Sequence, residues 1–332
     1  MNLNSGRLHE GFVLAKPISQ ENYDEKIIYD LERQGRLVIT RKRDGWKLLA
    51  LVGPNGEIRL YTDGINEIDS RLDHIKDELR SLSFPSNTLV VGEAIVDMRD
   101  SDDLTKVISI FHSNLAKAQD LQKEYGRIRF MVFAIVPLGD ASGFKNSPLN
   151  SYGISISEKL RAFNESRRKL GYVFPVPVLN TSFDEAKQIV IEKGWEGLVL
   201  YDKDYQLTFR TDGKAPKRPR GCYKWKPILE DDFIVRSWIP RPGNKSVKEL
   251  VLLQIDPVTQ GEFYCGKLGS FNNEMRSLLA KMIYPIVVQA RFDTRYPKTG
   301  KIRNQRFVMI RTDKPVHQCV APKSYPEMEI SV

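Results

Sequence analysis

Two nearly continuous apolar runs, residues 89–96 and 128–136, most constrain how this chain can fold. Each run contains a single charged side chain and is short enough for a strand buried on both faces of a sheet. Glu93 lies in the middle of the first run, and Glu196 begins a similar one. An unpaired carboxylate in such surroundings costs several kcal/mol, so each must meet a cation, a metal ion or a hydroxyl group. A salt bridge with only a structural role is the simpler alternative for either residue alone.

The overall composition favours a two-domain globular protein with a polyanionic partner. With 332 residues the chain exceeds one compact core, and Pro227 with the acidic residues 230–232 marks a change of character. We therefore expect domains at 1–227 and 228–332. The net charge of +9 and the pI near 9.3 point to a polyanionic partner. Three separated cysteines and four scattered histidines argue against a zinc ribbon, a disulfide framework or a Cys-His nucleophile pair.

The sequence also predicts where the protein resides. It has no run of eighteen apolar residues and no apolar N-terminal core of a signal peptide. We therefore expect no membrane association and an intracellular location.

A lysine follows the β-branched run 37–40 and precedes an Asp44-Gly45 turn. With the apolar runs 47–52 and 58–61, this predicts an antiparallel meander. To attack phosphorus, a lysine amine must lose its proton, and burial or nearby cations lower the pKa of such an amine. An ordinary hairpin with a surface lysine is the alternative. The lysine is Lys42, and the nearby cations are Arg41, Arg43 and Lys47.

The remaining patterns predict an α+β fold. Helices are expected at 67–82, 101–125, 157–170 and 183–193, with a loop at 139–156. Ser182 and Glu185 form a capping box for the last of these helices. The second domain should contain five short strands and one helix, which is the count of an OB-type barrel, although other small β-barrels fit as well. These elements are expected at 233–239, 250–255, 263–268, 272–283 (the helix), 286–292 and 307–310.

Read together, these segments resemble the covalent nucleotidyltransferase superfamily of ATP-dependent DNA ligases, RNA ligases and mRNA capping enzymes. Six motifs occur in the order of that family over residues 42–314, which makes the resemblance specific. The resemblance implies a nucleotidyltransferase domain of ATP-grasp-like antiparallel sheets with helices, followed by an OB-fold β-barrel. The motifs are Lys42-Arg43-Asp44-Gly45, Val91-Gly92-Glu93-Ala94, Phe130-Met131-Val132-Phe133, Glu196-Gly197-Leu198-Val199, Tyr223-Lys224-Trp225-Lys226 and Arg311-Thr312-Asp313-Lys314.

The resemblance implies a role for each matching residue. Lys42 would attack the α-phosphate of ATP and become a lysyl-AMP, Thr40 would contact adenine, and Phe133 would stack on the base. Glu93 would accept the ribose hydroxyls, and Glu196 would help to hold Mg²⁺, with Glu93 as a second ligand and Mn²⁺ as an alternative ion. The implied nucleotide contacts are Thr40, Arg41, Lys42, Lys47, Glu93, Phe133, Glu196, Lys224 and Lys226, and the implied catalytic residues are Lys42, Asp44, Lys224, Lys226, Arg311, Asp313 and Lys314.

The last implied roles are contacts to phosphate, and three positions differ from the usual pattern of the family. In a strand, Lys224 and Lys226 would point to one face and grip the α-phosphate, while the closing Arg-x-Asp-Lys motif would orient the leaving pyrophosphate. The family usually has arginine where this chain has Lys47, often Ser-Arg where residues 61–64 fall, and aspartate where Ala134 stands.

Within the superfamily, the sequence is most similar to the small phage and viral DNA ligases. Basic residues crowd the loop 203–226 and the segment 291–314, so we expect a nicked duplex to be clasped by its backbone, without base readout. The resemblance implies a monomer that serves DNA replication, repair or recombination. It would act in the cytoplasm of the host cell if a phage encodes the chain, and in the nucleus if the chain is eukaryotic. An RNA ligase, an mRNA guanylyltransferase and a non-catalytic basic clamp on nucleic acid are the alternatives.

Overall fold

The computed structural model describes residues 7–8, 10–96, 104–138, 171–205, 207–218, 220–243, 246–296 and 299–322. The expected loop at 139–156 and helix at 157–170 lie outside these residues. The chain divides into two compact units, Met1–Lys226 and Pro227–Val332. Among the helices described, none combines the length and the apolar character that a membrane-spanning segment requires.

The described strands of the first unit form two five-stranded sheets and one two-stranded sheet. The strand orders are β2-β12-β10-β3-β9, β5-β4-β6-β7-β8 and β1-β11, with β2 parallel to β12 and β8 parallel to β7. In chain order the strands are β1 (Val13–Leu14), β2 (Ile18–Ser19), β3 (Leu37–Lys42), β4 (Trp46–Val52), β5 (Ile58–Thr62), β6 (Thr88–Ile95), β7 (Arg129–Pro137), β8 (Val173–Pro175), β9 (Val178–Leu179), β10 (Gly197–Asp202), β11 (Phe209–Arg210) and β12 (Cys222–Trp225).

The predicted meander is wrong at its first connection. β3 pairs with β10 and β9, whereas β4 pairs with β5 and β6, so residues 43–45 carry the chain from one sheet to the other. Only β4 and β5 form the expected antiparallel hairpin. The reason is that the apolar β6 and β10 are better partners for these strands than β3 and β4 are for each other, and such distant pairing leaves no local signal.

Helices cover one face of each large sheet of the first unit. Against the sheet that contains β4 and β6 lie α2, α3 and α4, while the other face of that sheet is buried by residues near the N-terminus, as the two apolar runs predicted. Against the sheet that contains β3 and β10 lie α1 and α5. The described helices of this unit are α1 (Lys26–Arg33), α2 (Asp73–Ser81, after a 3₁₀ turn at Ser70–Leu72), α3 (Leu104–His112), α4 (Leu115–Tyr125) and α5 (Phe183–Glu192).

Local sequence signals set the helix boundaries. The capping box predicted at the start of α5 is present, with the Ser182 side chain accepting from the Glu185 backbone and the Glu185 side chain accepting in return. The single helix expected over 101–125 is instead two, because Asn114 caps the start of α4 through a hydrogen bond from the backbone of Lys117.

The second unit contains a five-stranded antiparallel sheet in the order β15-β14-β13-β16-β19 and a small β17-β18 hairpin. Its largest apolar cluster lies on one side of that sheet with α6, and a smaller cluster that includes Ile234, Val287 and Cys319 lies on the other side. The five expected strands are present, and the expected helix is shorter than predicted. The elements are β13 (Leu229–Pro240), β14 (Val247–Ile255), β15 (Glu262–Leu268), α6 (Asn273–Leu279), β16 (Ile286–Phe292), β17 (Thr294–Arg295), β18 (Ile302–Arg303) and β19 (Arg306–Ile310).

Candidate active site

The sheet that contains β3 has one face packed on helices and one face that carries the candidate nucleophile. Because side chains alternate along a strand, Ile39 points toward the helices while Thr40 and Lys42 point the other way. On β12, Tyr223 and Trp225 likewise pack toward the helices, which leaves Lys224 on the same face as Lys42. The alternation of side chains along the two strands therefore places Lys42 and Lys224 on the same face of the sheet.

Glu196 contacts the amines of both Lys42 and Lys226 directly. Its Oε2 accepts from Lys42 Nζ at 2.6 Å, and its Oε1 accepts from Lys226 Nζ at 2.8 Å. The Glu196 side chain is only 12% exposed. A carboxylate with this little solvent needs paired cations, and the two lysines meet that need. The carboxylate thus fixes the positions of two amines in one small site.

Gly197 explains how Glu196 reaches this position. Gly197 pairs with Lys42 across β10 and β3, and its φ is +154°, a value that side chains with a Cβ rarely adopt. A Cβ at this position would lie 2.2 Å from the carbonyl oxygen of Trp225. Glycine is therefore required for the close approach that sets Glu196 between Lys42 and Lys226.

Glu93 comes to the same site from the other large sheet. It lies opposite Lys47 in the β4–β6 ladder. Burial raises the pKa of Glu93 to about 7, Lys42 and Lys47 oppose that rise, and the neighbouring Glu196 and Asp44 add to it. Four other predicted residues thus lie close enough to act on the charge of Glu93, although they come from different segments of the chain.

The turn between β3 and β4 packs against β6. A Cβ on Gly45 would lie 2.5 Å from the carbonyl oxygen of Ala94 and 2.7 Å from Cγ of Glu93. Any other residue here would force the turn away from β6, so Gly45 permits Lys42 and Glu93 to share a site.

Lys224 completes the cationic set. Burial lowers its pKa, and the neighbouring Lys226 and Lys42 lower it further. The amines of Lys226 and Lys42 lie close enough to Lys224 to disfavour its charge, and three lysines grouped in this way form a site suited to an anion with several oxygens.

Other predicted residues lie at the edges of this cluster or outside it. Arg41 points to the opposite face from Lys42, with its guanidinium 4.3 Å from the ring centre of Trp195. Thr40 donates its hydroxyl to the carbonyl oxygen of Val199 at 3.1 Å. Phe133 is partly buried at a β-bulge, since Val91 pairs with Ala134 and Gly92 with Val132. A bulge re-aims a side chain.

Lys47 also has an acidic neighbour that the sequence motifs do not predict. Its Nζ lies 3.1 Å from Asp63, which also lies 3.7 Å from Lys16 Nζ. Asp63 falls in the segment where the family often has Ser-Arg, so this chain has an acid between two lysines there.

Residues near the N-terminus support the lysine strand, and sequence reasoning missed them. The Gln20 side-chain oxygen accepts from the backbone N–H of Lys226 at 2.7 Å, and Tyr23 donates to the carbonyl oxygen of Lys224 at 3.4 Å. They follow β2, whose two residues are too few to show a periodic pattern.

The predicted closing motif forms a separate cluster in the second unit. Arg311 donates to both oxygens of Asp313, at 2.9 and 2.8 Å, and to Asp232 at 3.2 Å. Lys314 donates to Asp232 at 2.6 Å. The Asp313 carboxylate holds the pKa of Arg311 above its usual range. Asp232 is a buried residue of β13. The sequence does not predict its role, because the acidic run 230–232 indicates only a domain boundary.

The donor set limits the kind of metal ion that could bind. Among the residues described, no group of three or more His, Cys, Asp or Glu could hold a metal ion. Glu93 and Glu196 are two carboxylates near each other. Such a set fits Mg²⁺, which usually takes one or two carboxylates and fills its other positions with water and substrate phosphate.

Comparison with known proteins identifies the fold. No protein-family model matches the sequence, and no curated protein matches it. A Lig E DNA ligase superposes with a TM-score of 0.61 at 18% identity over 90% of this chain and 99% of that one. The bacteriophage T7 ATP-dependent DNA ligase, in complex with ATP, gives 0.51 at 16% identity over 94% and 100%. A protein designated Pmar-Lig_Pre gives 0.67 at 17% identity over 92% and 69%.

These similarities define the general class of the fold. It is the fold found in DNA ligases. More particularly, it is the fold of the small ATP-dependent DNA ligases, since the Lig E and T7 proteins are matched over their whole length or nearly so.

Proposed function

We propose that this protein is an ATP-dependent DNA ligase that seals nicks in duplex DNA. The observation that carries the proposal is the Glu196 carboxylate held between Lys42 and Lys226. A nucleophilic amine beside further cations is what transfer of a nucleotidyl group requires, because catalysis of phosphoryl transfer rests on positioning and on charge around the phosphate oxygens. The ligase fold of the chain supports the same function.

The first reaction joins AMP to the protein. The amine of Lys42 attacks the α-phosphorus of ATP, a P–N bond forms, the bond to pyrophosphate breaks, and the amine loses a proton. Lys224 and Lys226 stabilise negative charge on the α-phosphate oxygens. Phe133 and Thr40 receive the base and Glu93 the ribose hydroxyls. Arg311, Asp313 and Lys314 of the second unit, which we take to be the OB-fold domain, act on the leaving pyrophosphate.

The following reactions seal the strand. An oxygen of the DNA 5′-phosphate attacks the lysyl-AMP, which releases Lys42 and forms a DNA-adenylate. The 3′-hydroxyl of the neighbouring strand then attacks the 5′-phosphorus, and AMP leaves. Glu196, with Glu93, is the candidate ligand of a Mg²⁺ ion, which would supply charge stabilisation on the phosphate oxygens. The basic segments at 203–226 and 291–314 bind the duplex; Lys298 of the second lies outside the described residues.

The test is incubation with labelled ATP and magnesium, followed by denaturing electrophoresis. We expect a labelled protein band that Lys42→Ala abolishes and that the exposed control Lys117→Ala retains. Thermal unfolding should show both variants folded. A band that survives Lys42→Ala would place the nucleophile elsewhere, and a wild-type protein of unmodified mass, with no AMP carried over from expression, would refute the enzyme.

A chase then identifies the substrates. Nicked DNA added to the labelled protein should remove the label and yield a sealed strand, while nicked RNA should not. Labelling by GTP in place of ATP would favour an mRNA guanylyltransferase, and sealing only of RNA would favour an RNA ligase. Binding of DNA without any labelled adduct would favour the basic clamp.

A further inference from the structure

The second unit contains a cleft that the proposed reaction does not use. The cleft has a volume of about 480 Å³ and lies where the end of β13, the start of β14 and the segment before α6 meet. Its walls carry three basic side chains and one acidic side chain. The lining residues are Arg241, Pro242, Lys248, Glu249, Gly269 and Arg276.

Arg276 is the unusual member of this lining. It is a buried arginine that donates to three backbone carbonyl oxygens, those of Val247 at 2.7 Å, Lys248 at 2.7 Å and Gly269 at 2.5 Å. Its Nε is buried and has no hydrogen-bond partner. No ion pair with an acidic residue is formed by Arg276 within the described part of the chain. Carbonyl dipoles orient this charge without cancelling it.

The rim of the cleft adds further positive charge. Arg241 lies near enough to Arg276 to reinforce the lowering of its pKa that burial begins. Lys248 is exposed at the start of β14, and Glu249 is the one acid in the lining. Three cations against one carboxylate leave a net charge of +2 in a concave surface, where a buried charge is screened less than one in open water.

The chemistry of the lining residues limits the kinds of ligand that could bind in the cleft. Arginine and lysine together favour a phosphoryl group, to which arginine donates in a fixed fork and lysine as a mobile point charge. The lining contains no aromatic ring on which a base could stack, so a free nucleotide would gain contacts only through its phosphates. A repeating polyanion suits such a site better.

We propose that this cleft binds a phosphodiester group of a DNA strand, away from the residues that carry out sealing. Arg241 and Lys248 contact the phosphate oxygens, and Arg276 contributes a fixed positive potential from beneath. The inference rests on the proposed function only in taking DNA as the polymer; free inorganic phosphate shares the same chemistry and is separated by the experiment.

The experiment measures DNA binding by the whole chain as a function of salt. Affinity for a fluorescent nicked duplex and for the same duplex without a nick is measured by anisotropy between 50 and 200 mM NaCl. Loss of two phosphate contacts reduces the slope of log K against log salt by about 1.8. Between those concentrations the wild type should therefore lose roughly tenfold more affinity than the variant Arg241→Gln/Lys248→Gln.

Two controls make the result decisive. The variant Lys267→Gln/Lys281→Gln removes two exposed lysines of the same unit that do not line the cleft, and its slope should match that of the wild type. Adenylation of Lys42 should be unchanged in both variants. A slope unaltered by the cleft substitutions, or reduced equally by the control, overturns the proposal.

A calorimetric titration with inorganic phosphate separates the two sources of the anion. Heat that the cleft substitutions abolish, together with an unaltered DNA slope, would assign the cleft to free phosphate and also overturn the DNA proposal. If the wild type forms no lysyl-AMP, the ligase function fails, but the duplex without a nick still reports on the cleft.

Discussion

Replacing Glu93 by glutamine should stabilise the protein at neutral and alkaline pH while leaving it unchanged in acid. Burial raises the pKa of Glu93 to about 7, against an ordinary value of 4.5. In the folded chain the carboxyl group therefore holds its proton more tightly than in the unfolded chain, and ionisation opposes folding. Glutamine has nearly the same shape and carries no charge, so it avoids this cost.

The size of the effect follows from the pKa difference. Each pKa unit corresponds to about 1.4 kcal/mol, so the wild type should be less stable than the variant by about 3 kcal/mol at pH 8. The difference should shrink to about 1 kcal/mol at pH 5 and vanish below about pH 4, where both states of the wild type hold the proton. The loss of wild-type stability relative to the variant thus develops as pH rises from about 4.5 to 7.

The assay is thermal or urea unfolding of both proteins across this pH range. For a domain of this size, 3 kcal/mol corresponds to a rise in melting temperature of roughly 6–12 °C. The exposed Glu124→Gln on α4 is the matched control and should change stability by less than about 0.5 kcal/mol at any pH. A Glu93→Gln variant that is less stable at pH 8, or whose difference does not depend on pH, would show that Glu93 is held as a stabilised anion.

Three further predictions concern the proposed reaction and its frame. Arg311→Ala should slow formation of lysyl-AMP far more than sealing of a pre-adenylated nick; equal slowing in a single-turnover comparison would contradict a role confined to pyrophosphate departure. Asp232→Asn should also slow formation of lysyl-AMP more than sealing, but by a smaller factor, because Arg311 and Lys314 both lose the carboxylate that they share. A change in unfolding temperature without a change in the ratio of the two rates would show that Asp232 has only a structural role. Gly197→Ala should destabilise the chain by more than about 2 kcal/mol in urea unfolding, because a Cβ 2.2 Å from the carbonyl oxygen of Trp225 must displace backbone.

The sequence predicted individual strands better than it predicted how they pair. The apolar runs that contain Glu93 and Phe133 appear as β6 and β7, and the capping box starts α5 where expected. The Asp44-Gly45 pair after Lys42 predicts a hairpin because Asp-Gly is a local signal for a tight turn, whereas the chain crosses to the other sheet there. Whether the next strand returns to its neighbour depends on distant strands that compete for it, and no short segment records that competition.

The same limit applies to the site. Lys42, Glu93, Glu196, Lys224 and Lys226 could be selected because each breaks a local rule, either as a charge in an apolar run or as a lysine within or directly after a strand. Gln20 and Asp232 could not, since a polar residue beside a two-residue strand and an acid in an acidic triplet break no rule. Their contacts to the Lys226 backbone and to Arg311 exist only after long-range folding.

The crossing of the chain between sheets gives the site its physical logic. Lys42 ends a strand of one sheet, and four residues later Trp46 begins a strand of the other, opposite Ala94 and next to Glu93. A connection this short cannot lengthen, so the amine and the carboxylate are held near each other by the ladders of two sheets. Glu196 then holds Lys42 from the first sheet while Glu93 faces it from the second. A mobile loop could not hold these charges together against the cost of their burial, and this is why the proposed nucleophile lies at a junction of sheets.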